Sequence, residues 1–188
     1  MSREDFLQCA SWVHRIGEMF KLLDVDKDGY VTREDYQVTL KRMEDEAKPD
    51  PKLLAIYRDC VEESCVALGL TQEKRFTKEE FLKAAAVFSE AEMARKKRGE
   101  KLLLEKVQHA FYDVIDTNHD GFVRLDEYKL AMKINGLDHE MAEAAFKVID
   151  KNQNGKIERQ ELIEQQLNFW CTIDHKESQG MLGERFEP

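Results

Sequence analysis

Helix breakers are scarce in this chain: 188 residues hold only 9 glycines and 3 prolines. No apolar stretch approaches the roughly 20 residues that a membrane-spanning helix needs. Positive charge is outnumbered, with 29 Lys and Arg against 38 Asp and Glu, giving a net charge of −9. That balance excludes a general attraction for nucleic acid or an anionic membrane surface, and it suits cations. The four cysteines, Cys9, Cys60, Cys65 and Cys171, form no C-x-x-C pair. Zinc and thiol redox chemistry are thereby left without their usual spacing. The thiols read as apolar residues of a reducing compartment. The opening residues Met1-Ser2-Arg3-Glu4-Asp5 are acidic where a secretory leader is basic and then apolar. The expectation is a soluble, cytoplasmic, monomeric protein. Apolar residues at 42% are too many for a disordered chain and enough for a core.

What is present is helical periodicity. Phe6, Val13, Ile16, Phe20 and Leu23 recur at the intervals of one helix face. Pro49 and Pro51 end one helix and open a turn. Leu53, Leu54, Tyr57, Val61 and Leu68 restart the period, and Phe81, Leu82, Ala85 and Phe88 carry it through 78–94. The basic run Arg95-Lys96-Lys97-Arg98, followed by Gly99, marks a linker at 95–100. Beyond it, Leu103, Val107, Phe111 and Ile115 lead into one loop, and Met141, Ala145, Phe146 and Ile149 into another.

Three segments share one template: 24–35, 116–127 and 150–161. Each has oxygen-bearing side chains at positions 1, 3 and 5, glycine at 6, a β-branched apolar residue at 8 and a carboxylate at 12. This is the EF-hand calcium loop. Calcium is a hard cation that takes about 6–8 oxygens. Positions 1, 3, 5 and 12 supply side-chain oxygens, and position 7 supplies its backbone carbonyl. The predicted ligands are Asp24, Asp26, Asp28, Tyr30 and Asp35 in the first loop. They are Asp116, Asn118, Asp120, Phe122 and Glu127 in the next. In the last they are Asp150, Asn152, Asn154, Lys156 and Glu161. Glycine at position 6 permits the positive φ of the turn. Val31, Val123 and Ile157 at position 8 can pair with a neighbouring loop as a short strand.

EF-hands usually pair, and the loops starting at 116 and 150 suit each other. The first loop finds its mate in 69–80, where Phe76 keeps the apolar position 8 and Glu80 the carboxylate. Gly69 offers no side-chain oxygen at position 1, and Lys74 puts a cation at the glycine position. That loop is expected to pair without binding metal. Asp35 is one methylene shorter than the usual Glu, which favours Mg²⁺ competition in loop 24–35. Arg124 at position 9 cannot ligate. Three divalent ions would bring the net charge of −9 to about −3 and couple binding to folding.

The predicted fold is therefore all-α, with four EF-hands in two pairs. Residues 1–94 form an N-terminal pair and 101–171 a C-terminal pair, with an extension at 172–188 packed on the body. The order active, degenerate, active, active resembles the sarcoplasmic calcium-binding protein family. So do Trp12 ahead of the first loop, Asp35 at its position 12 and the C-terminal extension. The resemblance implies a compact intracellular Ca²⁺/Mg²⁺ buffer with three sites. The same superfamily contains luciferin-binding proteins and calcium-triggered photoproteins. The stretch from Gln165 to Asp174 is similar to the last photoprotein helix.

That similarity implies an alternative, a coelenterazine-like luciferin in a central cavity. Matched residue by residue, the photoproteins' tryptophan falls on Trp170, their histidine on Gln166 and their tyrosine near Leu182. Glutamine cannot act as the acid/base partner and leucine has no hydroxyl, so what survives is simple binding of an apolar ligand. A calcium sensor gripping a target helix is a further alternative, but Met19, Met43, Met93, Met132, Met141 and Met181 are dispersed. Ile173, Met181, Leu182 and Phe186 could plug the groove that a sensor exposes. The histidines His14, His109, His119, His139 and His175 show no catalytic spacing, and the chain reads as a non-enzyme. The leading expectation is a closed buffer, with the luciferin carrier and the sensor as alternatives.

Overall fold

The structure is a computed structural model and describes residues 1–174. The described residues form nine helices, α1 (Arg3–Gln8), α2 (Ala10–Leu23), α3 (Arg33–Glu46), α4 (Pro51–Leu68), α5 (Lys78–Lys97), α6 (Leu103–Ile115), α7 (Leu125–Ile134), α8 (His139–Ile149) and α9 (Arg159–Cys171). The fold is all-α, and no described helix is long and apolar enough to cross a membrane. The expected extension beyond Asp174, with Met181, Leu182 and Phe186, lies outside the described residues.

The helix starts follow from the loop chemistry. Thr32 caps α3 while Asp35 reaches back to its backbone N–H, and Thr77 and Glu80 do the same for α5. Such a reciprocal cap satisfies donors that the first helical turn leaves open. Position 12 of each loop is thus also the third residue of the exit helix. This explains why Glu80 persists in the degenerate loop: it caps α5.

The loops pair as expected. Val31 and Phe76 exchange two backbone hydrogen bonds of 2.9 Å. Val123 and Ile157 exchange bonds of 3.1 and 2.8 Å. Each pair ties two hands through a single antiparallel bridge.

The two pairs then face each other. α4 packs on α6, α3 on α7, and α9 on α5 and α6. The basic run does not end helix α5 early: the helix continues to Lys97, and the chain breaks at Gly99, whose φ is +69°. α6 has no side-chain cap of its own. Instead the buried Glu92 of α5 accepts from the Leu104 N–H at 2.9 Å and pairs with Arg95 at 3.1 Å. The end of α9 is held from the other side. Trp12 and Ser89 donate to the Trp170 carbonyl at 2.9 and 2.8 Å, and Arg15 donates to the Phe169 carbonyl at 2.7 Å and to that of Thr172. These bonds satisfy carbonyls that the last turn of a helix leaves open.

Candidate metal loops and internal cavity

The three loops predicted to bind metal have nearly one backbone. Asp24, Asp116 and Asp150 end their entering helices at φ of −73°, −74° and −70°. Position 4 takes a left-handed φ in each, at Lys27, His119 and Gln153, and so does the glycine at position 6. The N–H of that glycine donates back to the first aspartate at 3.1, 3.0 and 2.9 Å. Loop 69–80 departs at its first residue. Gly69 closes α4 in the left-handed region at φ +77°, and the Leu70 N–H returns to the Cys65 carbonyl at 2.8 Å. Loop 69–80 therefore starts with a different backbone from the other three, besides having fewer oxygens.

The closing carboxylates share one geometry. Asp35 accepts from the position-2 N–H of Val25 at 3.0 Å and from the position-9 N–H of Thr32 at 2.8 Å. Glu127 accepts from Thr117 at 2.9 Å and Arg124 at 3.0 Å. Glu161 accepts from Lys151 at 3.1 Å and Glu158 at 2.9 Å. The shorter Asp35 spans its loop as the glutamates do.

These loops fit a cation. Asp24, Asp35, Asp116, Glu127, Asp150 and Glu161 are all buried. Among the described residues none of the six pairs with Lys, Arg or His. Hydrogen bonds offset part of the desolvation of these buried carboxylates, and a cation would supply the counter-charge they lack. Asp24 Oδ1 is buried with no hydrogen-bond partner. One oxygen each from Asp24, Asp26 and Asp28 lies within 4.8 Å of the others. In loop 116–127, Arg124 donates to Asp120 at 2.9 Å and holds that carboxyl below its usual range. The hydroxyl of Tyr112 lies 3.0 Å from the Gly121 carbonyl and 2.9 Å from that of Ile157, bridging the two C-terminal loops.

The second feature is a cavity of about 200 Å³ between the two halves. Helices α2 to α7 and α9 all contribute to its wall, and among the described residues no charged side chain lines it. Met19, Met43 and Met132 meet there, although the sequence disperses them. Their convergence depends on three helices facing one another, which spacing along the chain does not encode. Trp170 lines the cavity and packs edge-on against Phe88 at 5.7 Å, whereas Trp12 is wholly buried against Phe6. Tyr36 and Tyr57 keep accessible surface although they lie deep inside, because they face the cavity. Burial pushes both phenols well above their ordinary range. Gln166 is on the wall, whereas Leu182 lies outside the described residues.

The wall and the metal loops are neighbours in the chain. Leu23 precedes Asp24, Tyr36 follows Asp35, Tyr128 follows Glu127 and Leu162 follows Glu161, and all four line the cavity.

The EF-hand family pattern matches residues 16–40 and 142–164. The luciferin-binding protein of Renilla reniformis is 32% identical over 156 residues, covering 82% of this chain and 83% of that one. This chain belongs to the EF-hand family of luciferin-binding proteins and photoproteins. Obelin from Obelia geniculata is 29% identical over 177 residues, covering 92% of this chain and 89% of the relative. Among solved structures, Mg²⁺-loaded apo-berovin superposes with a TM-score of 0.75 at 31% identity, covering 83% of this chain and 86% of that one. It is a ctenophore photoprotein whose three Ca²⁺-binding loops all bind magnesium.

Membership of this family corrects the leading expectation. A sarcoplasmic calcium-binding protein from Perinereis vancaurica tetradentata matches at only 26% over 134 residues. The intracellular buffer reading fails against the photoprotein and luciferin-binding relatives, which match more of the chain. The buffer reading rested on the order of active and degenerate loops, on Trp12, on Asp35 and on the C-terminal extension. Loop order concerns the metal sites alone, and Trp170 faces a cavity.

Proposed function

We propose that this protein is a calcium-controlled carrier for a coelenterazine-type luciferin. The observation that carries the reading is the cavity, walled by seven helices from both halves and lined by no charged side chain among the described residues. Such a wall favours a neutral, largely aromatic ligand and penalises an ionised one. The relationship to the Renilla luciferin-binding protein supports the same ligand class. Gln166 favours a carrier over a light emitter. It stands on the wall where the photoprotein resemblance puts a histidine, and an amide exchanges no proton near neutral pH.

The metal ligands belong to the proposal. Asp24, Asp26, Asp28, the Tyr30 carbonyl and Asp35 hold one divalent ion. Asp116, Asn118, Asp120, the Phe122 carbonyl and Glu127 hold a second. Asp150, Asn152, Asn154, the Lys156 carbonyl and Glu161 hold a third, and loop 69–80 holds none. A bound ion supplies two positive charges to carboxylates otherwise buried alone. Magnesium competes, most strongly at loop 24–35. An ion that closes a loop pulls on its position-12 carboxylate, which already accepts from the position-2 N–H. The exit helix carries the next residue with it, and in α3, α7 and α9 that residue is Tyr36, Tyr128 or Leu162 on the cavity wall.

The test is a titration of coelenterazine followed by quenching of Trp170. Saturable one-to-one binding is expected in a calcium chelator, weakened about tenfold or more by Ca²⁺. Linkage then requires the luciferin to weaken Ca²⁺ binding by the same factor. Absence of binding in both conditions sinks the carrier. Light on adding Ca²⁺ to the loaded protein would make it a photoprotein instead.

A further inference from the structure

Among the described residues, two buried side-chain oxygens have no hydrogen-bond partner, Asp24 Oδ1 and Gln108 Oε1. The first belongs to a cation loop. The second lies in none of the candidate cation loops. Gln108 is 8% exposed, sits in the middle of α6 and lines the cavity. Leu104 and Phe111, a turn to either side on the same helix, line it too. An amide carbonyl buried against an apolar wall without a donor carries an uncompensated desolvation cost. Evolving an apolar residue there would remove that cost, so the acceptor needs a partner that the folded chain does not itself provide.

The geometry points to Gln108 as the residue that selects the ligand by accepting a hydrogen bond from one O–H or N–H on it. This rests on the carrier reading and adds the specificity element to it. Tyr36 and Tyr57 offer hydroxyls at the cavity, which can donate as well as accept. A buried site built to meet a ligand donor rejects the analogue lacking that donor more strongly than apolar packing can, because the site's own group is then left unpaired. Gln108 therefore discriminates between hydroxylated or N–H-bearing ligands and their hydrogen- or methyl-capped analogues, while the apolar wall sets overall size and neutrality.

The test crosses two changes. Gln108→Met keeps the length of the side chain and removes the acceptor. The probes are coelenterazine, analogues with each hydroxyl in turn replaced by hydrogen, and one with its ring N–H methylated. In the unmodified protein one of these analogues should bind about tenfold more weakly than the parent. In Gln108→Met that analogue and the parent should bind within about twofold of each other. Equal ratios in both proteins for every analogue would overturn the assignment. A second measurement needs no ligand. Melting of the ligand-free protein should be unchanged or higher in Gln108→Met, because an unpaired buried acceptor has been removed. A melting temperature lower by several degrees would mean that the amide is satisfied within the fold and serves it, and would also overturn the assignment. Should coelenterazine bind neither protein, the carrier reading fails, and the melting comparison alone decides the role of Gln108.

Discussion

Arg124 occupies Asp120, a proposed ligand, before any ion arrives. Its guanidinium sits 2.9 Å from Asp120 Oδ2, and both side chains face solvent. An exposed pair of this kind is worth about 0.2–1 kcal/mol, and an ion entering loop 116–127 has to displace it. Arg124→Gln should therefore tighten Ca²⁺ at that loop by about threefold, leaving loops 24–35 and 150–161 unchanged in calorimetry. The gain should shrink in high salt, which already screens the pair. The proposed ligands follow from the template alone, which fixes residue types at fixed spacing. Arg124 was legible as a non-ligand, but its grip on Asp120 depends on a side-chain conformation that spacing does not carry. Gln108 was not legible at all: a lone glutamine on an apolar helix gives no sign of whether its amide is paired. The cysteines make a second case. Burial pushes Cys65 up to about 11 and Cys171 to about 12, from an ordinary 9.0. Burial raises Cys9 as well, but hydrogen bonds from Ser11 and from the backbone of Trp12 outweigh it, and this thiol is lowered. Iodoacetamide at mildly alkaline pH should thus modify Cys9 first. For Cys65 and Cys171 the folded value lies above the unfolded one. Their contribution to stability is full below about pH 9 and is lost as pH rises through 11 to 12. Denaturant midpoints that stay level across that range would contradict the burial of these thiols.

Glu92 does for α6 what a capping residue ordinarily does from within its own helix. Its carboxylate takes the Leu104 N–H from across the turn at Gly99, and Arg95 neutralises it. It is 1% exposed. Glu92→Ala leaves a buried N–H at the start of α6 and removes the hydrogen bond that joins α5 to α6. The expected loss is about 2 kcal/mol, which lowers the melting temperature by about 4–8 °C. Loop 116–127 ends the helix that Glu92 caps, whereas loop 24–35 does not. Ca²⁺ affinity at the former should fall and at the latter hold, as a two-site competition with a chelating dye would report. Helices and loop pairing were readable because the 3.6-residue period and the apolar position 8 are local signals. Val31 with Phe76 and Val123 with Ile157 followed from them directly. The Glu92 cap was not readable, since it joins two helices across a break whose turn geometry the residues at 98–102 do not announce.

The two halves share one buried core that encloses the cavity, and this arrangement leaves a thermodynamic signature. Each ion bound at a hundred times its dissociation constant adds about 2.7 kcal/mol of stability, so Ca²⁺ alone should raise the melting temperature steeply. A luciferin filling the cavity in the absence of Ca²⁺ should raise it as well, because it binds the folded state and not the unfolded chain. If the cavity wall and the loops were independent, the two increments would add. They should not add here, because Tyr36, Tyr128 and Leu162 follow closing carboxylates directly and cannot keep their places while α3, α7 and α9 adjust to an ion. With both ligands saturating, the rise should fall short of the sum by the coupling free energy, about 1.4 kcal/mol for a tenfold mutual weakening. Melting curves with chelator, Ca²⁺, coelenterazine and both together measure that shortfall. Strict additivity would leave luciferin binding intact but remove calcium control of it, and the loops would then serve stability alone.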